Sequence, residues 1–468
     1  MQDGHWSVYP PYSMLTMALR PERARGAVFV SPLPGGSQKR QLDVFMSASA
    51  QPTGDSPQAE GDRTAPARRR PSLAILIAVT ALGPMALNIF IPSMPGMVEV
   101  FATDYGTIQL TLTLYLFGVA VSQLFMGPLS DRFGRRPVLL AGIALFLAGS
   151  LAAAFAETIG MLIAARVVQA VGGCAGLVLG RAIVRDTHGR EESASMIGYI
   201  TMAMVVAPML SPLIGGYIDH WFGWRASFVF VLAVGAVVIA FAWMLLHETH
   251  HDRSGAHGPL ALLRGFPILL RDTAFCGYAM NVSFTTAVFF AFLAGAPYIM
   301  VEILERPTNE YGLYFMFMAT AYMAGNFLSG KLSTRVGADR MILTGSILAL
   351  VGVTILSGLA LSFEMIPLML FAPVMFGGIG NGLSLPSATA SAISIRPDLA
   401  GTASGLVGFL QMTVGALATL LVGKLQDDTV FPMIWVMCGA AVIAFLGYAL
   451  ARLAVTRRPA VAGAPGDD

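Results

Sequence analysis

Between about residues 72 and 455 the chain is written in long apolar runs separated by short polar breaks. Twelve windows stand out, at about 72–92, 107–126, 137–156, 159–180, 195–218, 226–246, 274–296, 311–330, 341–361, 366–388, 402–423 and 431–451. Each is close to the roughly 20 residues that a hydrocarbon slab of about 30 Å demands of a helix rising about 1.5 Å per residue. Twelve such runs in series, with at most 27 residues between neighbours, leave almost nothing polar to cover the core of a soluble fold. The pattern predicts an all-α integral membrane protein with twelve transmembrane helices.

Composition agrees: 55% of the residues are apolar and 12% charged, and mean hydropathy is +0.68. Soluble domains carry about 25% charged residues. The 50 glycines and 27 prolines fall among the apolar runs, as in membrane helices. A net charge of +2 and no basic stripe interleaved with aromatics exclude a nucleic-acid partner. Cys174, Cys276 and Cys438 all sit inside apolar runs, so they read as small hydrophobes rather than a disulfide framework.

From Ser72 onward, sixteen Lys and Arg lie in the even-to-odd loops and the C-terminal tail, against Arg225, Arg306 and Lys424 on the other side. Both termini are therefore expected in the cytoplasm. Residues 1–71 hold turn-rich polar stretches that cannot build a core and are expected to be a disordered cytoplasmic tail. Met46 begins a shorter tail, so residues 1–45 are expected to come from an upstream start. A second short tail is expected at 456–468.

The longest break, 247–273, is polar and reads as a cytoplasmic linker dividing two six-helix bundles, 72–246 and 274–455. The bundles share a signature, because GPLSDRFGRR from Gly127 to Arg136 recurs as GKLSTRVGAD from Gly330 to Asp339, at an offset of 330 − 127 = 203 residues. Such a repeat is the mark of a transporter that rocks two bundles about a central site. In the first loop, Gly127 and Gly134 permit a reversal, and Arg132, Arg135 and Arg136 hold it near anionic headgroups. Asp131, a carboxylate among three arginines, can close a contact that breaks during alternation, with Arg335 as its partner in the other half; the alternative is a solvated topogenic loop. In span 5, Pro208 and Pro212 remove two backbone donors, and Gly215 and Gly216 follow. That segment is a hinge or a plain kinked packing helix. Gly172, Gly176 and Gly180 in span 4 have the small-xxx-small spacing of close helix packing.

Arg166 is the conspicuous charge. It lies about seven residues into span 4, on the order of 10 Å deep, where an unpaired Arg costs ~2.5–3.5 kcal/mol. It must face the interior, in a water-accessible chamber between the bundles. By these boundaries every Asp and Glu lies in a loop or at a span end, which leaves three readings. Arg166 bonds to Asn88, Gln109 or a backbone carbonyl; or it contacts an anionic or polar substrate group; or a coupling proton uses Asp131, Glu99 or Asp104. The candidate cavity wall combines Asn88, Gln109, Tyr115 and Arg166 with Asn281, Asn326, Asn381 and Gln411, and such polar groups also serve as interhelical hydrogen bonds. Aromatic and Met side chains, Phe289, Phe292 and Tyr298 among them, suit an adaptable apolar cavity.

GPLSDRFGRRPVLL resembles the signature loop of the major facilitator superfamily. NIFIPSMP, QLTLTLYLFG, RVVQAVGGCAG, APMLSPLIGGYI, FLAGAPYIMVE, AGTASGLVGFLQ and FPMIW bring the chain close to its Bcr/CflA group of drug:proton antiporters. The resemblance implies the superfamily fold, a latch role for Asp131, and an antiporter motif around Pro208 and Pro212, with Ser211 where many members have Gly. It implies inner-membrane efflux of drug-like molecules by alternating access, with a proton as the counter-substrate, in a monomer without cofactor. The group usually has an Asp where this chain has Asn88, and Asn does not titrate near neutral pH. The rival readings are an exporter of a polar or anionic metabolite recognised by Arg166 and an intramembrane metalloenzyme. His247-Glu248-Thr249-His250-His251 formally fits H-E-x-x-H, but it runs into a polar linker rather than a shielded helix, so no metal site is expected. GGIGNG at 377–382 has no preceding strand, and no Walker loop occurs, so nucleotide chemistry is not expected.

Overall fold

The computed structural model describes residues 71–188, 190–249 and 259–457. The N-terminal tail, the suggested start at Met46, His250 and His251, and the last eleven residues lie outside them. Twelve long helices carry the described chain: α1 (Leu73–Ile89), α2 (Tyr105–Phe133), α3 (Arg135–Ala154), α4 (Ile159–Thr187), α5 (Arg190–Phe222), α6 (Trp224–Leu245), α7 (Thr273–Tyr298), α8 (Thr308–Val336), α9 (Ala338–Ser362), α10 (Pro367–Ser394), α11 (Ala400–Leu425) and α12 (Phe431–Thr456). Eleven are long and apolar enough to cross a bilayer. The twelfth, α8, has the length of 29 residues, but Asn326, Lys331 and Arg335 crowd its second half.

Helices α1 to α6 pack among themselves, as do α7 to α12, and the two bundles meet along two seams, α2 with α11 and α5 with α8. At one end a single apolar core crosses between bundles, joining Phe90 and Leu116 to Phe292, Tyr311 and Phe371. Toward the other end each bundle keeps its own core, built on Leu139, Phe146 and Leu179 in the first and on Phe275, Ile342 and Val407 in the second. Outward side chains such as Trp243, Phe327 and Leu361 stay exposed, as a lipid-facing surface requires.

The repeat is visible in the backbone. Gly134 and Gly337, 337 − 134 = 203 residues apart, adopt the left-handed region at φ 100° and 91° and turn α2 into α3 and α8 into α9. No other residue enters that conformation cheaply. The sequence reading needs correcting here, since Gly127 to Phe133 are not loop but the last turns of α2, and only Gly134 makes the reversal. Helices α2, α4, α5 and α8 likewise run past the apolar windows by one or two turns. Arginine-rich turns can be satisfied outside the hydrocarbon, so the helix need not stop where hydrophobicity does. The linker also differs from expectation: its second half, Pro259–Leu270, is a helix.

Candidate functional site

A cavity of about 220 Å³ lies between the bundles. The first bundle contributes Asn88, Tyr115, Cys174, Met204 and Pro208 to its wall. The second contributes Phe289, Phe290, Phe315, Tyr322, Asn381 and Gln411. Among the described residues, none that lines the cavity is Asp, Glu, Lys, Arg or His. The polar lining is tied to the scaffold. Asn88 Nδ2 donates to Pro84 O at 2.8 Å and Asn381 Nδ2 to Thr285 O at 3.3 Å. Tyr115 Oη donates to Gly83 O at 3.0 Å, and Gln411 Nε2 to Thr286 Oγ1 at 2.9 Å.

The other nominated residues lie elsewhere. Asn281 is buried inside the second bundle, where it donates to Ser346 Oγ at 3.1 Å and Ala444 O at 2.9 Å and so ties α7 to α9 and α12. Asn326 bonds back to Tyr322 O of its own helix. Gln109 donates to Ala294 O at 2.7 Å, beside the Tyr105 hydroxyl, which reaches the same carbonyl at 2.8 Å. Gln109 therefore pins α2 to α7 across the bundles and is part of the closure rather than of the cavity wall.

Arg166 is fully buried and does not line the cavity. Its Nη1 donates to Ala86 O at 3.0 Å and to Gln169 Oε1 at 2.5 Å. The guanidinium lies over the rings of Phe90 and Tyr115, 4.2 Å from each centroid, and 5.9 Å from that of Phe228. The expected chamber is thus a closed aromatic box within the first bundle, with Tyr115 standing between the charge and the cavity. Stacking on three ring faces substitutes for the missing carboxylate. Gln169, one helical turn along and held by Ser150 Oγ at 2.8 Å, is the partner that the sequence reading missed. Its i, i+3 spacing from Arg166 was the available signal.

One end of the molecule is sealed. Gly106 meets Gly423, Gly216 meets Thr308, and Gly312 meets Leu213, so closely that a Cβ on Gly106, Gly216 or Gly312 would lie 2.7 Å from the partner's backbone. Thr113 and Thr419 share a hydrogen bond of 2.8 Å across the same seam as Gly106 and Gly423. Gly215 packs against Ile89 O within the first bundle, and α5 continues unbroken through Pro208 and Pro212. Here too lies Asp219, half-buried in α5 beside Ser93 and Thr308. Because span 5 was drawn to end at residue 218, this carboxylate was missed. At the same end Asp104 caps α2, and the Thr107 hydroxyl and N–H hold its carboxyl below the usual range.

The opposite end carries the arginines, and there a Cβ on Gly127, Gly330, Gly401 or Gly405 would meet nothing within 4 Å. Arg135 pairs with Asp131 at 2.5 Å and with Asp186 at 2.9 Å, so these contacts stay within the first bundle. Arg335 is exposed and makes no ion pair among the described residues, and the anticipated contact between it and Asp131 is not formed. Arg132 stacks on Phe133, and Arg136 stacks on Trp243 while donating to Trp243 O. Glu248 of the histidine-rich motif accepts from the N–H groups of Arg135 at 3.0 Å and Arg136 at 3.3 Å. It is an anionic cap on α3 and not a catalytic base. Among the described residues no three His, Cys, Asp or Glu converge as metal ligands.

Residues 76–419 match the Major Facilitator Superfamily. The chain is 30% identical over 375 residues to the bicyclomycin resistance protein homolog of Haemophilus influenzae, covering 79% of this chain and 93% of that one. It is 31% identical over 350 residues to multidrug resistance protein D of Escherichia coli, covering 74% and 87%. Against the chloramphenicol resistance protein of Pseudomonas aeruginosa the figures are 30% over 368 residues, 78% and 86%. Among solved structures, a bacterial homolog of the human lysosomal transporter Spinster, inward-facing and unoccupied, superposes with a TM-score of 0.63 at 15% identity, over 83% of this chain and 98% of that chain.

Proposed function

From the premise that the chain belongs to the major facilitator superfamily and is a multi-pass membrane transporter, not an enzyme, we propose that it extrudes small drug-like amphiphiles across the inner membrane by alternating access, in exchange for protons. It acts as a monomer with both termini in the cytoplasm. The observation that carries this reading is the central apolar cavity, closed at one end by backbone-to-backbone contacts between the bundles and flanked at the other by glycines facing open space. With the arginines on the cytoplasmic side, a lipid-soluble compound enters from the cytoplasm; the seal then opens as the arginine-rich end closes.

The Asp131 end of α2 acts as a cytoplasmic gate: its carboxylate now holds Arg135 inside one bundle and is released when the bundles approach. Among the described residues the cavity lining holds no carboxylate, so we assign the coupling proton to Asp219 at the α5–α8 seam. Protonation would remove the charge from a contact that must part. The rival exporter of anions has no support from Arg166, which the aromatic box separates from the cavity.

The test is drug sensitivity and accumulation in cells lacking or expressing the chain, with and without a protonophore. Extrusion that disappears with the protonophore and in Asp219→Asn supports the reading. Extrusion indifferent to both removes proton coupling, and unchanged sensitivity to every compound removes efflux.

A further inference from the structure

A charge stands just beyond the arginine-rich edge of the apolar cavity. Along α4 the lining residues Gly173, Cys174 and Leu177 share one face, and Arg181, four residues past Leu177, continues that face by one turn, about 6 Å. Arg181 is half-buried, and its side chain turns inward against α5 instead of running out to the headgroups. Its Nη2 lies 3.3 Å from Sδ of Met204, itself a cavity-lining residue. A thioether is only a weak acceptor. Nε is buried and has no partner among the described residues. Nη1 has no partner among them either, and unlike Nε it stays open to solvent.

The first bundle places no carboxylate where it could neutralise this group. Helix α1 has no Asp or Glu, α4 has none before Asp186, and α5 has none between Glu192 and Asp219. Asp186 is taken by Arg135 at 2.9 Å. Glu192 stands 204 − 192 = 12 residues before Met204, about 18 Å along the helix. Arg185, one turn further on, is exposed and adds a second positive charge. A half-buried guanidinium without an anion is costly, and a ligand carboxylate would give it a charge-assisted pair.

Resting on the efflux reading and naming its substrate class, we propose that Arg181 is the head-group site of the cavity. It takes the carboxylate of an acidic amphiphile at Nη1, while the apolar body of the same molecule lies against Phe289, Phe290 and Tyr322. The caged Arg166 takes no part. A ligand so placed is held by its head to the first bundle and by its body to the second, so its presence bears on both of the surfaces that move against each other.

The experiment is equilibrium dialysis of the purified full chain, with the same detergent on both sides, using biphenyl-4-acetate and biphenyl-4-acetamide. The two probes share one apolar body and differ in a charged against a neutral head. The native chain should bind the acid roughly tenfold or more tightly than the amide. Arg181→Met, which keeps the length and loses the charge, should weaken the acid until the two probes bind within about twofold, with amide binding unchanged. Arg181→Lys should keep part of the preference, and Arg185→Gln should leave it intact. A native chain without preference for the acid, a preference that survives Arg181→Met, or one lost equally in Arg185→Gln would overturn the inference. The native comparison needs no variant, and a thermal melt identifies any variant that has merely unfolded. Extrusion of the acid from cells reads the efflux proposal separately: preference without extrusion removes efflux and leaves the Arg181 site standing, whereas extrusion without preference removes the site and leaves efflux.

Discussion

The two ends of the molecule are built from the same glycine-rich material and do opposite things with it. At the sealed end Gly106, Gly216, Gly312 and Gly423 let backbones of different bundles touch, with no room for a methyl group. At the arginine-rich end Gly127, Gly330, Gly401 and Gly405 face open space, and the ion pairs stay inside one bundle. The difference teaches that small residues mark the surfaces that must approach in some state, and that the present state satisfies only one set of them. Without a hydrophobic drive between helices in lipid, close packing is what holds such a closure.

The largest effect should come from fixing the seal. In a chain with its own three cysteines replaced, Thr113→Cys with Thr419→Cys, whose hydroxyls stand 2.8 Å apart across the seam, should cross-link under oxidation and abolish extrusion completely, with recovery on reduction; full activity of the cross-linked protein would show that this seam never parts. Next, Gly312→Val or Gly216→Val drives a branched side chain into backbone that cannot yield. Overpacking costs about 1–3 kcal/mol, and about 1.4 kcal/mol is tenfold, so extrusion should fall roughly 10- to 100-fold while reagents reach cysteines placed at the seal. Arg166→Ala, which empties the box beneath the seal and strands Gln169, should cost about 2–4 kcal/mol and lower the melting temperature without changing probe preference. Asp104→Ala removes the α2 cap and should cost about 0.5–2 kcal/mol. Because the folded carboxyl titrates below its usual range, the cap contributes fully above the ordinary Asp pKa and is lost only as pH falls through the lower folded value, so native and variant should converge only in strong acid. The smallest effect is Gly127→Ala or Gly330→Ala. Facing open space within helices, these should leave stability unchanged or raise it by up to about 1 kcal/mol in a thermal melt.

Much of the fold is legible in the sequence because the bilayer imposes a single length on each span and a charge rule on each loop. Twelve runs and the 203-residue repeat are enough to place Gly134 and Gly337 at matching turns. Helix ends are less legible: α2 and α4 continue past their apolar runs to let Arg135 reach Asp131 and Asp186, a contact that hydropathy does not register. The site is the hardest part. Asn88 and Asn381 face the cavity, whereas Gln109 tightens the seal and Asn281 staples three helices. In sequence the four are alike, because a polar residue in a span announces that it needs a partner and not where the partner stands. Arg166 faces inward, but the aromatic faces of Phe90, Tyr115 and Phe228 come from the turn after α1, from α2 and from α6, and become a cage only once those elements pack.

The most direct test of alternation is a pair of distance measurements on one protein by electron spin resonance, with labels at Leu129 and Ser404 near the arginine-rich end and at Phe222 and Leu313 near the sealed end. Protonation and a bound probe should shorten the first distance in the same fraction of molecules in which the second lengthens. Two distances that change together, or neither changing while extrusion proceeds, would contradict it.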